Sequence, residues 1–340
     1  MTTDIRRIMI ESMMNKIIRD AKKSPKRTVR NLIDMGLNFT KGRFQKKFLT
    51  YAQGMLQNQN SAYYELAENI FLNVDKDLLI NFGMNLGYNG CTKGAKKIRK
   101  IEEEKGFNIP WSLSVIIDEK KLELHPETYS KIIEQGMDLG IYVYLLYLPE
   151  GNPEILPELL EKYPECAFAV FLKDSRITDE FARRIRQLKT AMVSVCPDEN
   201  AAENCRILRA ENVLFAVYYS YREAEKDYIL SDDWFLKIME LRPHFIFLKA
   251  DPSCSSQIQD EVYERVLDVR IKQQSQAVFC IELVRDMWKI DEIVSDDAYV
   301  IGFEADGSLR MYGSECNGDS YNIFESSLED ILRAAAGKEK

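Results

Sequence analysis

Histidine is nearly absent from this chain. His125 and His244 are the two imidazoles in 340 residues, so a nucleophile–histidine pair or an imidazole general base has almost no material to be built from. The seven cysteines, at 91, 166, 196, 205, 254, 280 and 316, are odd in number and include no C-x-x-C pair. That pattern fits scattered reduced thiols, not a disulfide framework. Cys196 and Cys205, nine residues apart with no histidine at zinc spacing, do not make a zinc site. A Walker loop, G-x-G-x-x-G, H-E-x-x-H and G-x-S-x-G are all missing. No apolar run reaches the roughly 18 residues of a membrane span, and the N-terminus has no signal-type apolar core. The expectation is a cytoplasmic protein.

What is present is ordinary globular material, 46% hydrophobic and 29% charged, long enough to bury a large core. The net charge of -8 is unevenly spread: residues 1–105 hold 20 Lys+Arg against 11 Asp+Glu, or +9, and the remainder holds 26 against 43, or -17. A basic N-terminal segment can meet nucleic acid, an anionic membrane surface, an acidic partner or the chain's own acidic body.

Residues 1–77 read as a helical segment. Ile5, Ile8, Met9, Met13 and Ile17 recur at helical spacing between Arg6, Arg7, Lys16 and Arg19, an amphipathic basic helix with an apolar face expected to dock on the core. Ser24-Pro25 breaks it, and further helices are expected over Arg27–Gly36, Gly42–Leu56 and Ser61–Phe71. Strand–helix alternation then begins, the mark of parallel strands with crossover helices. Strands are expected over Ser112–Ile117, Ile141–Tyr147, Ala167–Leu172, Ala191–Val195, Val213–Tyr219, His244–Lys249 and Ala277–Leu283, the last followed by a hairpin. Such apolar runs suit strands covered on both faces. The hairpin strands are Tyr299–Glu304 and Ser308–Tyr312, turned at Asp306-Gly307. A last helix, Ser326–Ala336, is expected to be capped by Ser326 with Glu329. The fold class is α/β, a partial or full parallel (β/α) barrel.

Several phrases resemble a group within the radical S-adenosylmethionine (SAM) superfamily that carries a SPASM-type C-terminal extension. They are Asn81-Phe-Gly-Met-Asn85 before a basic helix, Gly106-Phe-Asn-Ile-Pro-Trp111 leading into the first strand, and Glu127–Ile133 with Gly136 and Gly140 in the first crossover. Leu208-Arg209 with Val213–Phe215, Tyr219 and Ser231–Phe235 follow, then Phe303–Gly307, Asn322-Ile323 and Ser327–Ile331. The resemblance covers about residues 78–335 and implies a radical SAM-type barrel over 78–275 and a small SPASM-like hairpin and helix over 276–340.

The departures from the family carry the functional message. The resemblance calls for three cysteines after the first strand to hold a [4Fe–4S] cluster that ligates SAM; here Asp118 runs into Glu119–Leu124, with no cysteine between Cys91 and Cys166. The glycine-rich motif that receives the SAM amino group is replaced by Leu148-Pro-Glu-Gly-Asn152. Positions near Ile293 and Tyr312, where auxiliary-cluster cysteines belong, carry no thiol, and Cys316 is alone. The expectation is therefore a pseudoenzyme with no cofactor, no catalytic residue and no metal. It would act as a binding, regulatory or substrate-presenting subunit, paired with an intact radical SAM protein or with itself. The rival reading is a small-molecule binder or enzyme that reuses the strand ends, with Asp118, Glu150, Lys173, Asp174, Tyr219, Arg222, Lys249 and Asp251 as candidate pocket residues. Nucleic-acid binding by the basic helices is the weakest expectation. His125 is expected to cap or face solvent beside Pro126, and His244 to mark the surface end of its strand.

Overall fold

The computed structural model describes residues 5–21, 24–39, 42–295, 299–312 and 321–337. The architecture is α/β. Among these residues the strands are β1 (Ser112–Ile116), β2 (Val143–Leu148), β3 (Ala167–Leu172), β4 (Ala191–Val195), β5 (Phe215–Tyr221), β6 (Phe245–Ala250), β7 (Phe279–Glu282), β8 (Ile301–Phe303) and β9 (Leu309–Met311). Contacts divide the chain into one unit of Met1–Ile80 with Ser194–Asp286 and another of Asn81–Val193 with Met287–Lys340. This division differs from the sequence segments 1–77, 78–275 and 276–340, because the N-terminal helices share a core with the late strands and the C-terminal residues share one with the early strands.

In the second unit β1, β2 and β3 pair in parallel, Ser112 opposite Val143 and Val143 opposite Ala167. The helix between β1 and β2, Pro126–Leu139, starts on a proline and stops at Gly140, which has φ +102°. Proline at the first position loses no hydrogen bond, and a left-handed stop suits glycine. Its Gly136 lies under Tyr144, whose hydroxyl sits 2.3 Å from where a Cβ would project. Ahead of β1, Asn85–Gly94 is a π-helical stretch leading into the basic helix Ala95–Lys105. Its buried Asn85 and Asn89 amides donate to the carbonyls of Pro164, Glu165 and Cys166 at 2.7–2.9 Å.

The C-terminal hairpin forms at Asp306-Gly307, but it is not a free-standing appendage. β8 adds to β1 in parallel, Leu113 opposite Ile301 and Val115 opposite Phe303, and β9 returns antiparallel to β8. Ile301 and Phe303 are each 1% exposed, so this short strand completes a buried edge. The last helix, Leu328–Ala335, is capped by Ser327, which accepts from Asp330 N, and not by Ser326. Its Leu328, Ile331 and Leu332 are buried, and Leu328 N donates to Gln135 Oε1 at 2.6 Å.

In the first unit β5, β6 and β7 pair in parallel, Phe245 lying opposite both Ala216 and Phe279. The N-terminal helices are Ile5–Ala21, Pro25–Phe39, Arg43–Met55 and Tyr63–Asn73. Val29, Ile33, Ala52, Met55, Leu56, Tyr63, Tyr64 and Leu66 form their core, against which Phe279 packs. The expected strand Ala277–Leu283 is shortened to β7, and a helix that the pattern did not announce, Leu283–Ser295, follows it directly, ahead of the hairpin. The physical reason is Glu282: its Oε2 accepts from Arg285 N at 2.7 Å, which starts a helix where the apolar run alone reads as strand. His244 also departs from expectation. It is 7% exposed with Nδ1 3.3 Å from both the amide and the carbonyl of Phe215, and burial first of all lowers its pKa to about 4. His125 is exposed, 3.4 Å from Glu127, and its side chain caps nothing.

Candidate functional site

In a parallel α/β arrangement the carboxyl ends of the strands are where ligands are met. In the second unit those ends are sewn together by side chains. Asp118 accepts from Lys121 N at 2.9 Å and so caps the helix Glu119–Leu124, while its own N–H donates to Tyr129 Oη at 2.9 Å. Glu119 Oε1 accepts from Asn152 N at 2.7 Å. Ser175 Oγ donates to the Gly151 or Lys173 carbonyl, at 3.3 and 3.0 Å. Gly151 has φ +117°, and a Cβ there would meet the Glu119 carboxylate at 2.6 Å, so only glycine lets this carboxylate close over the turn.

Of the candidates in this unit, Asp118 is thus a helix cap. Glu150 is an exposed bend residue, and Lys173 and Asp174 are an exposed pair 3.8 Å apart, Asp174 with φ 52°. Replacing Asp118 with alanine is expected to cost about 1 kcal/mol of stability, as caps do, readable as a lower urea midpoint. The donor groups after β1 are carboxylates and lysines. An iron–sulfur cluster takes thiolates, so this loop does not fit one.

In the first unit Tyr219 Oη donates to Glu225 Oε1 at 2.8 Å, and Arg222 N donates to Glu225 Oε2 at 2.9 Å. Burial, then Glu225, pushes the Tyr219 phenol up to about 12. Asp251 accepts from Ser253 N and Oγ at 3.0 and 2.6 Å, a local turn, with Asp251 N on the Tyr221 carbonyl. Lys249 is half-buried on β6. Tyr219 and Arg222 thus share Glu225, while Asp251 closes a turn with Ser253.

The group that the sequence reading passed over is Glu282. It is fully buried at the end of β7, and accepts from Tyr221 Oη at 3.3 Å, from Arg285 N, and from the Ala250 backbone at the end of β6. Burial, followed by the Asp286 charge, pushes its carboxyl up from 4.5 to about 7 against the pull of these donors. The available signal was a single acid closing the apolar run Phe279-Cys-Ile-Glu282. Its folded pKa lies above the unfolded value, so the folded state holds the proton that the unfolded chain releases. Stability therefore falls as pH rises from about 4.5 to 7, by about 3 kcal/mol in all. Urea denaturation across that window is expected to show Glu282→Gln matching the parent at the acid end and exceeding it near neutrality; parallel curves would contradict this.

No family model matches this sequence, and no curated protein matches it. Among solved structures, an enolase from Bradyrhizobium complexed with magnesium and mandelic acid is similar at 12% identity, with 78% of this chain and 73% of that chain covered and a TM-score of 0.32.

Five of the thiols are enclosed, and Cys196 is half-buried. Cys91, Cys166, Cys205, Cys254 and Cys280 are buried, and burial raises each thiol, Cys166, Cys205 and Cys280 to about 12. Cys316 lies outside the described residues. Among the described residues no three His, Cys, Asp or Glu side chains group as metal ligands, and no helix is long and apolar enough to cross a membrane.

Proposed function

We propose that this chain is a radical SAM-like pseudoenzyme with a barrel of that type and a SPASM-like C-terminal hairpin and helix. It works in the cytoplasm by binding, as a regulatory or substrate-presenting subunit of an intact radical SAM protein or of its own oligomer. The observation that carries this reading is the tie between Glu119 and Asn152 N. The resembled family keeps a thiolate loop after the first strand and an open backbone cradle after the second. Here a carboxylate from the first loop occupies the backbone N–H of the second.

The test is anaerobic reconstitution of the full chain with iron and sulfide, followed by iron and sulfide analysis and SAM calorimetry. The expected result is no stoichiometric cluster and no SAM heat. A stoichiometric cluster that binds SAM overturns the proposal and restores an enzyme.

A second reading, a small-molecule binder or enzyme that reuses strand ends, is favoured by Glu282 alone, since a carboxyl titrating near 7 beside Tyr221 resembles a tuned acid–base group. It requires a ligand whose binding is lost in Glu282→Gln while the fold persists. Ligand binding indifferent to that change removes this support.

A further inference from the structure

The whole positive excess of the first 105 residues sits in residues 1–57, where 13 Lys+Arg face 4 Asp+Glu, a net of +9. Between this segment's second and third helices and the turn after them lies a groove of about 490 Å³, lined by Arg30, Ile33 and Asp34 of the helix Pro25–Phe39, by Gln53 of the helix Arg43–Met55, and by Leu56, Gln57 and Gln59 after it. Ile33 and Leu56 are buried and give it an apolar floor.

Arg30 is held in place. Its Nε donates to Tyr64 Oη at 2.5 Å, its guanidinium carbon is 5.2 Å from the Tyr64 ring centre, and Lys26 Nζ is 5.5 Å from the same centre. Tyr64 is itself buried, with its hydroxyl on the Leu56 carbonyl at 2.6 Å. A guanidinium fixed through Nε and a ring face presents a planar, pre-ordered fork, the geometry that grips a carboxylate. The glutamines add amides, each both donor and acceptor, which match the alternating N–H and C=O of an extended peptide.

We propose that this groove binds an extended acidic peptide segment of a partner protein, a carboxylate on Arg30 and backbone on Gln57 and Gln59, with an apolar side chain on Ile33 and Leu56. Asp34, one helical turn from Arg30 and bonded to Gln53 Nε2 at 2.7 Å, selects against the alternatives. A polymer with a negative charge at every unit, such as nucleic acid, brings a phosphate against this carboxylate. A peptide with spaced acids places an amide there. Lipid tails gain little from a groove rimmed by amides. The inference stands without the pseudoenzyme reading and fails or holds separately from it.

The experiment is fluorescence anisotropy on the full chain with a short labelled peptide of glutamate, leucine and serine. Controls are the same peptide with lysine for glutamate, labelled oligo-dT, and phosphatidylserine vesicles. The glutamate peptide is expected to bind saturably and more weakly as salt rises. Arg30→Gln is expected to weaken it about tenfold, the worth of one charged hydrogen-bonded contact, and Asp34→Asn to tighten it. Exposed Gln57→Ala, which leaves the helix core intact, is expected to weaken it about threefold. Absence of peptide binding, tighter binding of oligo-dT or vesicles, or peptide binding unchanged in both Arg30→Gln and Gln57→Ala overturns the proposal.

Discussion

Asp286→Ala is expected to destabilise the protein by about 3–5 kcal/mol, the cost of stripping the partner from a buried ion pair. The Arg270 side chain is 8% exposed and that of Asp286 15%, and they meet through two bonds of 2.8 and 2.9 Å. Asp286 also accepts from Glu282 N at 3.1 Å and from Tyr263 Oη at 3.2 Å. Arg270 donates to the Cys280 carbonyl at 3.2 Å, and its own carbonyl accepts from Tyr63 at 2.7 Å. Removing the carboxylate leaves a guanidinium in an apolar setting with the amide of β7 unpaired. Burial opposes the charged form of Arg270, but Asp286 outweighs it and raises its pKa. The double variant Asp286→Ala with Arg270→Met is expected to recover much of the loss, because it removes the orphaned charge instead of exposing it. Equilibrium urea unfolding of the single and double variants decides the matter: a loss under about 1 kcal/mol in the single variant, or a double variant no better than it, contradicts the account.

Asp291→Ala is the second large effect, expected at about 3 kcal/mol from two donors that lose their acceptor, Trp111 N buried and Tyr299 N half-buried. Asp291 is 1% exposed, and its two oxygens accept from Trp111 N and Tyr299 N, each at 2.6 Å. Trp111 is the last residue before β1, and Tyr299 lies two residues before β8, so one carboxylate aligns the entries of two paired strands. Asn keeps only one accepting oxygen, and Asp291→Asn should fall between the parent and alanine. Denaturation gives the size. Hydrogen exchange gives the cause: the amides of Trp111 and Tyr299 should lose protection first, and uniform loss of protection instead would mean that the carboxylate has no local role.

Neither residue drew attention in the sequence. Asp286 and Asp291 sit in Leu283-Val-Arg-Asp-Met-Trp-Lys-Ile-Asp291, a stretch between the last parallel strand and the hairpin that carries no motif, and the partners of Asp291 lie 180 residues before it and 8 after it. Asp118, Glu150, Lys173, Asp174, Arg222 and Asp251 follow strand ends, which show where an apolar run stops, whereas Tyr219 and Lys249 lie within β5 and β6. What each side chain bonds is not encoded in that run: Asp118 became a cap, and Tyr219 and Arg222 came to share Glu225. Glu282 was hidden because burial, not residue type, makes its carboxyl unusual.

Local pattern determined much of the rest. The helix Pro126–Leu139 has its proline start and glycine stop, and β3 and β4 span the apolar runs Ala167–Leu172 and Ala191–Val195. Periodicity, caps and turn residues act within a few positions, so the chain writes them legibly. Tertiary structure decided that β8 lies on β1, that the N-terminal helices share a core with Phe279, that His244 is buried, and that Arg30 is fixed on Tyr64 beside a groove. Each of these joins residues far apart in sequence, where the energy belongs to a contact between two surfaces and neither surface alone carries its signature.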